Sequence, residues 1–212
     1  MDSVEIIGIP QSTYTRVIRI VCEEKGVPYE LRIAPPHTPD IEAVHPFGKV
    51  PGLRHGDVEL CETSAIARYL DAVFPGPALF PKDPRTAALA EQWVSLVNTH
   101  MDRTLIRTYL VAYVFPKGPD KSPDRAVIDG VVGDVRAQIT LLDTAVAKTG
   151  YLAGDAFSFA DANVMPILAY LRNTPEGGEA IANSPHLSAY FERNAARPSF
   201  TNTMPPPPPA RS

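Results

Sequence analysis

The apolar pattern of this chain changes period once, at the segment PGPALFPKDP (75–84). Before it, short apolar runs of strand length alternate with helical ones; after it, every periodic stretch repeats at helical spacing. Such a break predicts a strand-containing domain followed by an all-helical one. With four prolines and one glycine, the segment itself has the composition of a linker.

In the first part, VEIIGIP (4–10) is rich in branched apolar residues and stops at a proline, as a buried strand does. Val17, Ile20 and Val21 then recur at helical spacing between Ser12 and Lys25, and Gly26 supplies the stop. YELRIA (29–34) reads as the next strand. Strand, helix, strand over so short a span predicts a parallel pair with a right-handed crossover. A proline-rich loop (35–46) with room for one helical turn follows. Two short strands near 50–54 and 58–61 come next, joined by the turn signal HGD, and then a helix from Thr63 to Phe74.

Beyond the linker, Leu89, Trp93, Leu96, Val97 and Met101 mark one long helix, and Val131, Val135, Ile139, Leu142 and Val146 a second. A third starts at Ser158, where Ser158-Phe159-Ala160-Asp161 has capping-box spacing with aspartate at the acidic position. The last clear helix carries HLSAYFERNAAR (186–197). The expected division is an α/β domain over 1–76, a linker over 77–84, a helical domain over 85–204 and an extended Pro-rich tail over 205–212.

Composition narrows the function. A net charge of −4 offers no basic footprint for nucleic acid, and no Lys/Arg cluster marks an anionic membrane surface. No apolar run approaches the roughly 20 residues of a membrane span. The opening MDSVEIIG is acidic and lacks an export-signal pattern, so a cytoplasmic location is expected. Two cysteines, Cys22 and Cys61, fall outside any metal-binding or CxxC spacing, so neither a metal site nor a disulfide framework is expected.

Five segments in order, IPQSTYTRV (9–17), HPFGKVPGL (45–53), LCETSAIARYL (60–70), FSFADANVMPIL (157–168) and AARPSF (195–200), resemble the cytosolic glutathione transferases, in particular the serine-type phi group. The resemblance covers Val4 to about Phe200. It implies an α/β plus all-α architecture, with a thioredoxin-like βαβ-ββα domain followed by a helical bundle. It also implies glutathione as co-substrate, conjugation of its thiolate to hydrophobic electrophiles in detoxification, no metal, and a homodimer built on the helix after Glu62 and the first long helix.

The resemblance carries over residue by residue. Pro51 falls at the family's cis-proline, a bond least disfavoured before proline, so the backbone of Val50 is expected to face outward and pair with the extended tripeptide. Ser12 falls at the thiolate-stabilising position, with Thr13 as the neighbour most easily confused with it; a plain N-cap is the other reading of the same serine. Tyr14 falls inside the expected helix. Glu62 and Thr63 fall where the family holds the γ-glutamyl end, the acid toward the ammonium and the hydroxyl toward the carboxylate. Lys49 is expected at the glycyl or cysteinyl part and His37 at the glycyl carboxylate, although His37 reads also as a solvated loop histidine.

Arg103, Arg107, Tyr109 and Tyr113, on the first long helix, are candidates for an electrophile site between domains. Residues of these types on a helix also serve as core or solvated face. Ser158 and Asp161 read as a structural cap. His45 departs from the asparagine many relatives carry before PFG, and Cys22 reads as a buried thiol. A non-catalytic relative using the fold as a binding module is the alternative function.

Overall fold

The computed structural model describes residues 3–118 and 120–206. Strand β1 (Val4–Gly8) buries Val4, Ile6 and Ile7 at the centre of a four-stranded sheet. Their branched side chains are stiff at χ1 and fit a pleated surface. Helix α1 (Thr13–Lys25) ends at Gly26, whose φ of 65° lets the chain turn back into β2 (Tyr29–Ile33). β2 runs parallel to β1, with Val4 opposite Tyr29 and Gly8 opposite Ile33. The single-turn α2 (Pro39–Glu42) then drops Ile41 onto Ile7 and Ala34.

β3 (Gly52–His55) and β4 (Val58–Cys61) form an antiparallel hairpin around Gly56-Asp57, giving the sheet order β2-β1-β3-β4. α3 (Thr63–Val73) closes the unit and buries Ile66, Ala67 and Leu70. Burial of Ile66 and Leu70 contributes about 1.5–3 kcal/mol each. The mixed sheet with its helices is the thioredoxin-like arrangement expected.

The chain divides into two compact units, but not where composition places the boundaries. The first runs to Phe80 and regains the chain from Ala196 onward; the second is Pro81–Ala195. Two sets of contacts explain the shifts from 76 and 204. The Lys25 ammonium, buried, binds Asp71 Oδ1 at 2.9 Å and Pro77 O at 3.2 Å, while Leu79 N donates to the same carboxylate oxygen, so 75–80 is stitched to α1 and α3.

At the other end, the buried Arg16 stacks on Phe200 and donates to its carbonyl at 3.0 Å. Glu24 binds Arg197 in a two-point pair at 2.7 and 2.6 Å and takes the Ser199 hydroxyl hydrogen. Burial pushes the Glu24 carboxyl up, but Arg197 and Ser199 hold it below its ordinary value. These contacts fix the short α10 (Pro198–Thr201) on α1. The tail expected at 205–212 lies, past Pro206, outside the described residues.

The second unit has helices and no strand among its described residues. α4 (Pro84–Leu96) continues without a break into a π-helical stretch (Val97–Leu110), where Val111 N bonds back to Ile106 O, and into α5 (Val111–Val114). The sequence predicts one long α-helix here. Val97, Met101, Leu105 and Tyr109 are buried at four-residue intervals along this stretch. α6 (Arg125–Thr149) buries Ile128, Val135, Ile139, Leu142 and Val146, and α7 (Phe159–Leu171) is almost wholly enclosed despite Pro166 within it. α8 (Pro175–Ala182), which periodicity does not reveal, and α9 (Pro185–Ala195) complete the unit.

Candidate active site

Strand register gathers the expected glutathione-binding residues at one end of the sheet. Gly52 of β3 lies opposite both Ile7 of β1 and Cys61 of β4. One step beyond that row come Gly8, Pro51 and Glu62, followed by Ser12 and Thr63 at the starts of α1 and α3. Neighbouring strands are about 4.8 Å apart, so β1 to β4 spans roughly 10 Å, the reach of an extended tripeptide. Two helix N-termini, each with unpaired N–H groups and a partial positive charge, face this end.

Ser12 is the N-cap of α1. Its Oγ accepts the Thr15 N–H at 3.2 Å while its carbonyl accepts from Arg16 N at 3.0 Å. Among the described residues the hydroxyl hydrogen has no acceptor, and the side chain is only part-buried. Thr13 is buried at the first helical position, and Tyr14 lies inside the helix as expected. Gly8 lets α1 sit close, since a Cβ there would come within 2.5 Å of Thr15 Oγ1.

The Val50–Pro51 peptide is cis. Val50 precedes the ladder of β3, and neither its N–H nor its C=O bonds to another described residue. His37 lies beside this bend: its N–H donates to Gly48 O at 2.8 Å, and its φ is 60°. Any side chain at Gly48 would collide with that ring, because a Cβ would fall 2.6 Å from His37 Nδ1. The structure thus brings exposed His37 and Lys49 to the same loop pair as Val50. Glu62 precedes α3 with φ 70° and makes no cap bond, so its side chain, 71% exposed, is directed away from the helix start. Thr63, the first helical residue, is buried.

Two family profiles match the chain: glutathione S-transferase, N-terminal domain, over residues 6–78, and glutathione S-transferase, C-terminal domain, over 105–198. A maize (Zea mays) protein, glutathione S-transferase 3, is 31% identical over the full length of both chains. The chain belongs to the glutathione S-transferase family. Among solved structures, glutathione S-transferase III in apo form is 33% identical with a TM-score of 0.82, covering 98% of this chain and 99% of that one. Glutathione S-transferase I from maize, in complex with an atrazine glutathione conjugate, is 25% identical with a TM-score of 0.83, covering 95% and 96%.

Two of this transferase's helix candidates, Tyr109 and Tyr113, are engaged in contacts within the protein. Tyr109 is 0% exposed and has no surface to offer a ligand. Its hydroxyl lies 3.0 Å from Thr174 Oγ1 and 2.9 Å from Glu176 Oε2, and accepts the Gly177 N–H at 3.0 Å. Tyr113 also bonds to Glu176, which binds Arg125 at 2.8 Å. Burial opposes ionisation of Glu176, but the Tyr113 hydroxyl and Arg125 hold its carboxyl down to about 2. Both tyrosines therefore tie the long helix to the start of α8. Arg107 pairs with Asp102 at 3.0 Å and stays largely exposed, as does Arg103.

Burial pushes the Cys22 thiol up to about 12, with Glu23 adding to the effect, so it is an inert core group at neutral pH. Cys61, at the end of β4, is part-exposed. The described residues hold no cluster of three or more His, Cys, Asp or Glu able to bind a metal ion, and none of their helices is long and apolar enough to cross a membrane. Ser158 and Asp161 form a reciprocal cap: Asp161 Oδ2 accepts from Ser158 N at 2.9 Å and from its hydroxyl at 2.8 Å.

Proposed function

We propose that the chain conjugates the thiolate of glutathione to electrophilic small molecules, with the Ser12 hydroxyl donating its hydrogen to the sulfur. On binding, the thiol proton leaves to solvent. The sulfur lone pair then forms a bond to the electrophile, and the displaced electron pair departs with a leaving group or enters an adjacent π system. The first N–H groups of α1 add positive potential at the same point. Val50 pairs through its backbone with the cysteinyl residue, as an added strand does. Glu62 takes the γ-glutamyl ammonium, Thr63 and the start of α3 take its carboxylate, and Lys49 and His37 meet the glycyl end. Of the helix candidates, Arg103 and Arg107 keep exposed faces for an anionic or flat electrophile.

The observation that supports this reading most is the uncommitted hydroxyl hydrogen of Ser12, on a 13-residue helix that opens at the sheet end where Val50's backbone is unpaired. Thiolate absorbance of bound glutathione, titrated against pH, tests it. The wild type should ionise the bound thiol well below the free value of about 8.5–9. Ser12→Ala should return it upward by about 1–2 units and lower kcat by roughly 100-fold, the lower end of the scale for losing one donor to a developing anion. An unchanged titration would refute the role.

A homodimer is part of the same reading, formed by α3 and the start of α4. Exposed Val73 and Leu89 on those helices and Phe47, 70% exposed, supply apolar surface. Light scattering on the purified chain should return twice the monomer mass; a monomer at micromolar concentration would remove the dimer from the proposal.

A further inference from the structure

The loop that carries Pro46, Phe47 and Gly48 turns on His45, a residue buried to 3% exposure. His45 N donates to Ile41 O at 2.7 Å, and its carbonyl accepts from Gly48 N at 2.8 Å. Its ring nitrogen Nδ1 accepts the N–H of Phe47, two residues on, at 3.1 Å. That is the bond a short Asn or Asp side chain makes in an Asx turn. Imidazole, unlike a carboxamide, carries a second nitrogen on the far side of its ring. Because Nδ1 accepts a backbone N–H, the ring hydrogen of the neutral side chain resides on Nε2.

Nε2 points to Glu62 Oε1 at 3.6 Å. This is longer than a hydrogen bond, and Glu62, exposed and uncapped, has freedom to close it. Glu62 also keeps an unfavourable backbone conformation, φ 70° on a non-glycine residue, which the surroundings must hold in place. A conformation of that kind, with a buried N–H donor facing the carboxylate, is what is needed to preset an anion for a cationic ligand group.

We propose that His45 is a positioning residue for glutathione binding: while Nδ1 holds the loop turn, Nε2–H orients the Glu62 carboxylate toward the γ-glutamyl ammonium. The proposal rests on the assignment of Glu62 above and adds the group that aims it. His45 touches no substrate atom and leaves the sulfur chemistry to Ser12.

The substitution that isolates this role is His45→Asn, because asparagine keeps an acceptor for the Phe47 N–H and lacks anything at the Nε2 position. The paired ligands are glutathione and its desamino analogue, glutaryl-cysteinyl-glycine, which has no ammonium. His45→Asn should raise KM for glutathione by roughly 3- to 10-fold with kcat preserved, the range of one weakened polar contact to a charge. Its Kd for the desamino analogue should match that of the wild type. Equal loss on both ligands would show a purely structural loop residue, and no loss on either would show no coupling; both results overturn the proposal.

Glu62→Gln separates the two layers of the argument. If it leaves the preference for glutathione over the analogue intact, the assignment of Glu62 itself fails. If it abolishes the preference while His45→Asn does not weaken it, only His45 is wrong. Should His45→Asn fail to fold, ¹⁵N spectra of histidine-labelled wild type decide instead. An Nε2–H signal that moves with glutathione but not with the desamino analogue supports the proposal, and an Nδ1–H tautomer ends it.

Discussion

Ser12 and Ser158 are both serines at the N-cap of a 13-residue helix, yet the molecule uses them in opposite ways. Ser158 is buried, and its N–H and hydroxyl both go to Asp161, which also accepts from Leu152 N at 3.0 Å and Tyr190 Oη at 2.9 Å. Every polar hydrogen there has a protein partner. Ser12 accepts one N–H and retains its own hydrogen, beside a Val50 backbone that is likewise unspent. In the helical unit, Tyr109, Tyr113, Arg125 and Glu176 satisfy one another; in the first unit, polar capacity remains at one end of the sheet. Buried polar groups are costly unless paired, so capacity left over at a part-exposed edge is where a ligand can find it.

The largest effect that would sharpen this contrast is expected at Asp161. Burial pushes its carboxyl up against the pull of four donors, and Asp161→Ala strands all of them in a dry site. Urea unfolding should show a loss of about 3–5 kcal/mol, while the refolded fraction retains its glutathione affinity. A loss below 1 kcal/mol would mean that the motif is not the anchor described.

Glu176→Gln comes next, at about 1–2 kcal/mol near neutral pH. Glu176 has a folded pKa of about 2 against an ordinary 4.5, so its contribution is complete above about pH 5 and is lost as pH falls toward 2. Chemical denaturation across that window should show a steeper acid loss in the wild type than in the variant. Parallel curves would break the assignment of that carboxylate as a consumed group.

The smallest change in stability should be at Ser12 itself. Ser12→Ala removes one cap bond, worth about 1 kcal/mol or less, although its catalytic loss is the largest of all. If Ser12→Ala instead unfolds the protein as Asp161→Ala does, the two serines are the same kind of cap and the comparison collapses.

Much of the first unit was legible because its signals are local. Branched residues and the Gly26 stop set β1, α1 and β2 to within a residue or two, and HGD specified the hairpin. The second unit was legible in outline only. α8 has no legible apolar period; its opening, Thr174-Pro175, carries the signal in a proline. Proline also stands at the start of α2, α4 and α10, where a missing N–H costs no helical bond. Tyr109 is no electrophile-site residue: a side chain's position in sequence does not reveal which face the helix buries, nor that Glu176 waits on another helix. The partnership of His45 with Glu62 is of the same kind: the departure from asparagine was visible, its consequence was not.

By itself the amino-acid sequence determined the kinds and order of the elements, the family, and the residue types able to steady a thiolate and grip a tripeptide, since propensity, period and turn chemistry act over a few neighbours. Only the tertiary structure decided which polar groups are spent. It set the row joining Ile7, Gly52 and Cys61, the return of α10 onto α1, and the burial that empties one serine of its hydrogen and leaves the other its own. Those depend on which distant groups meet and exclude water, and free energy of that sort has no representation in local order along the chain.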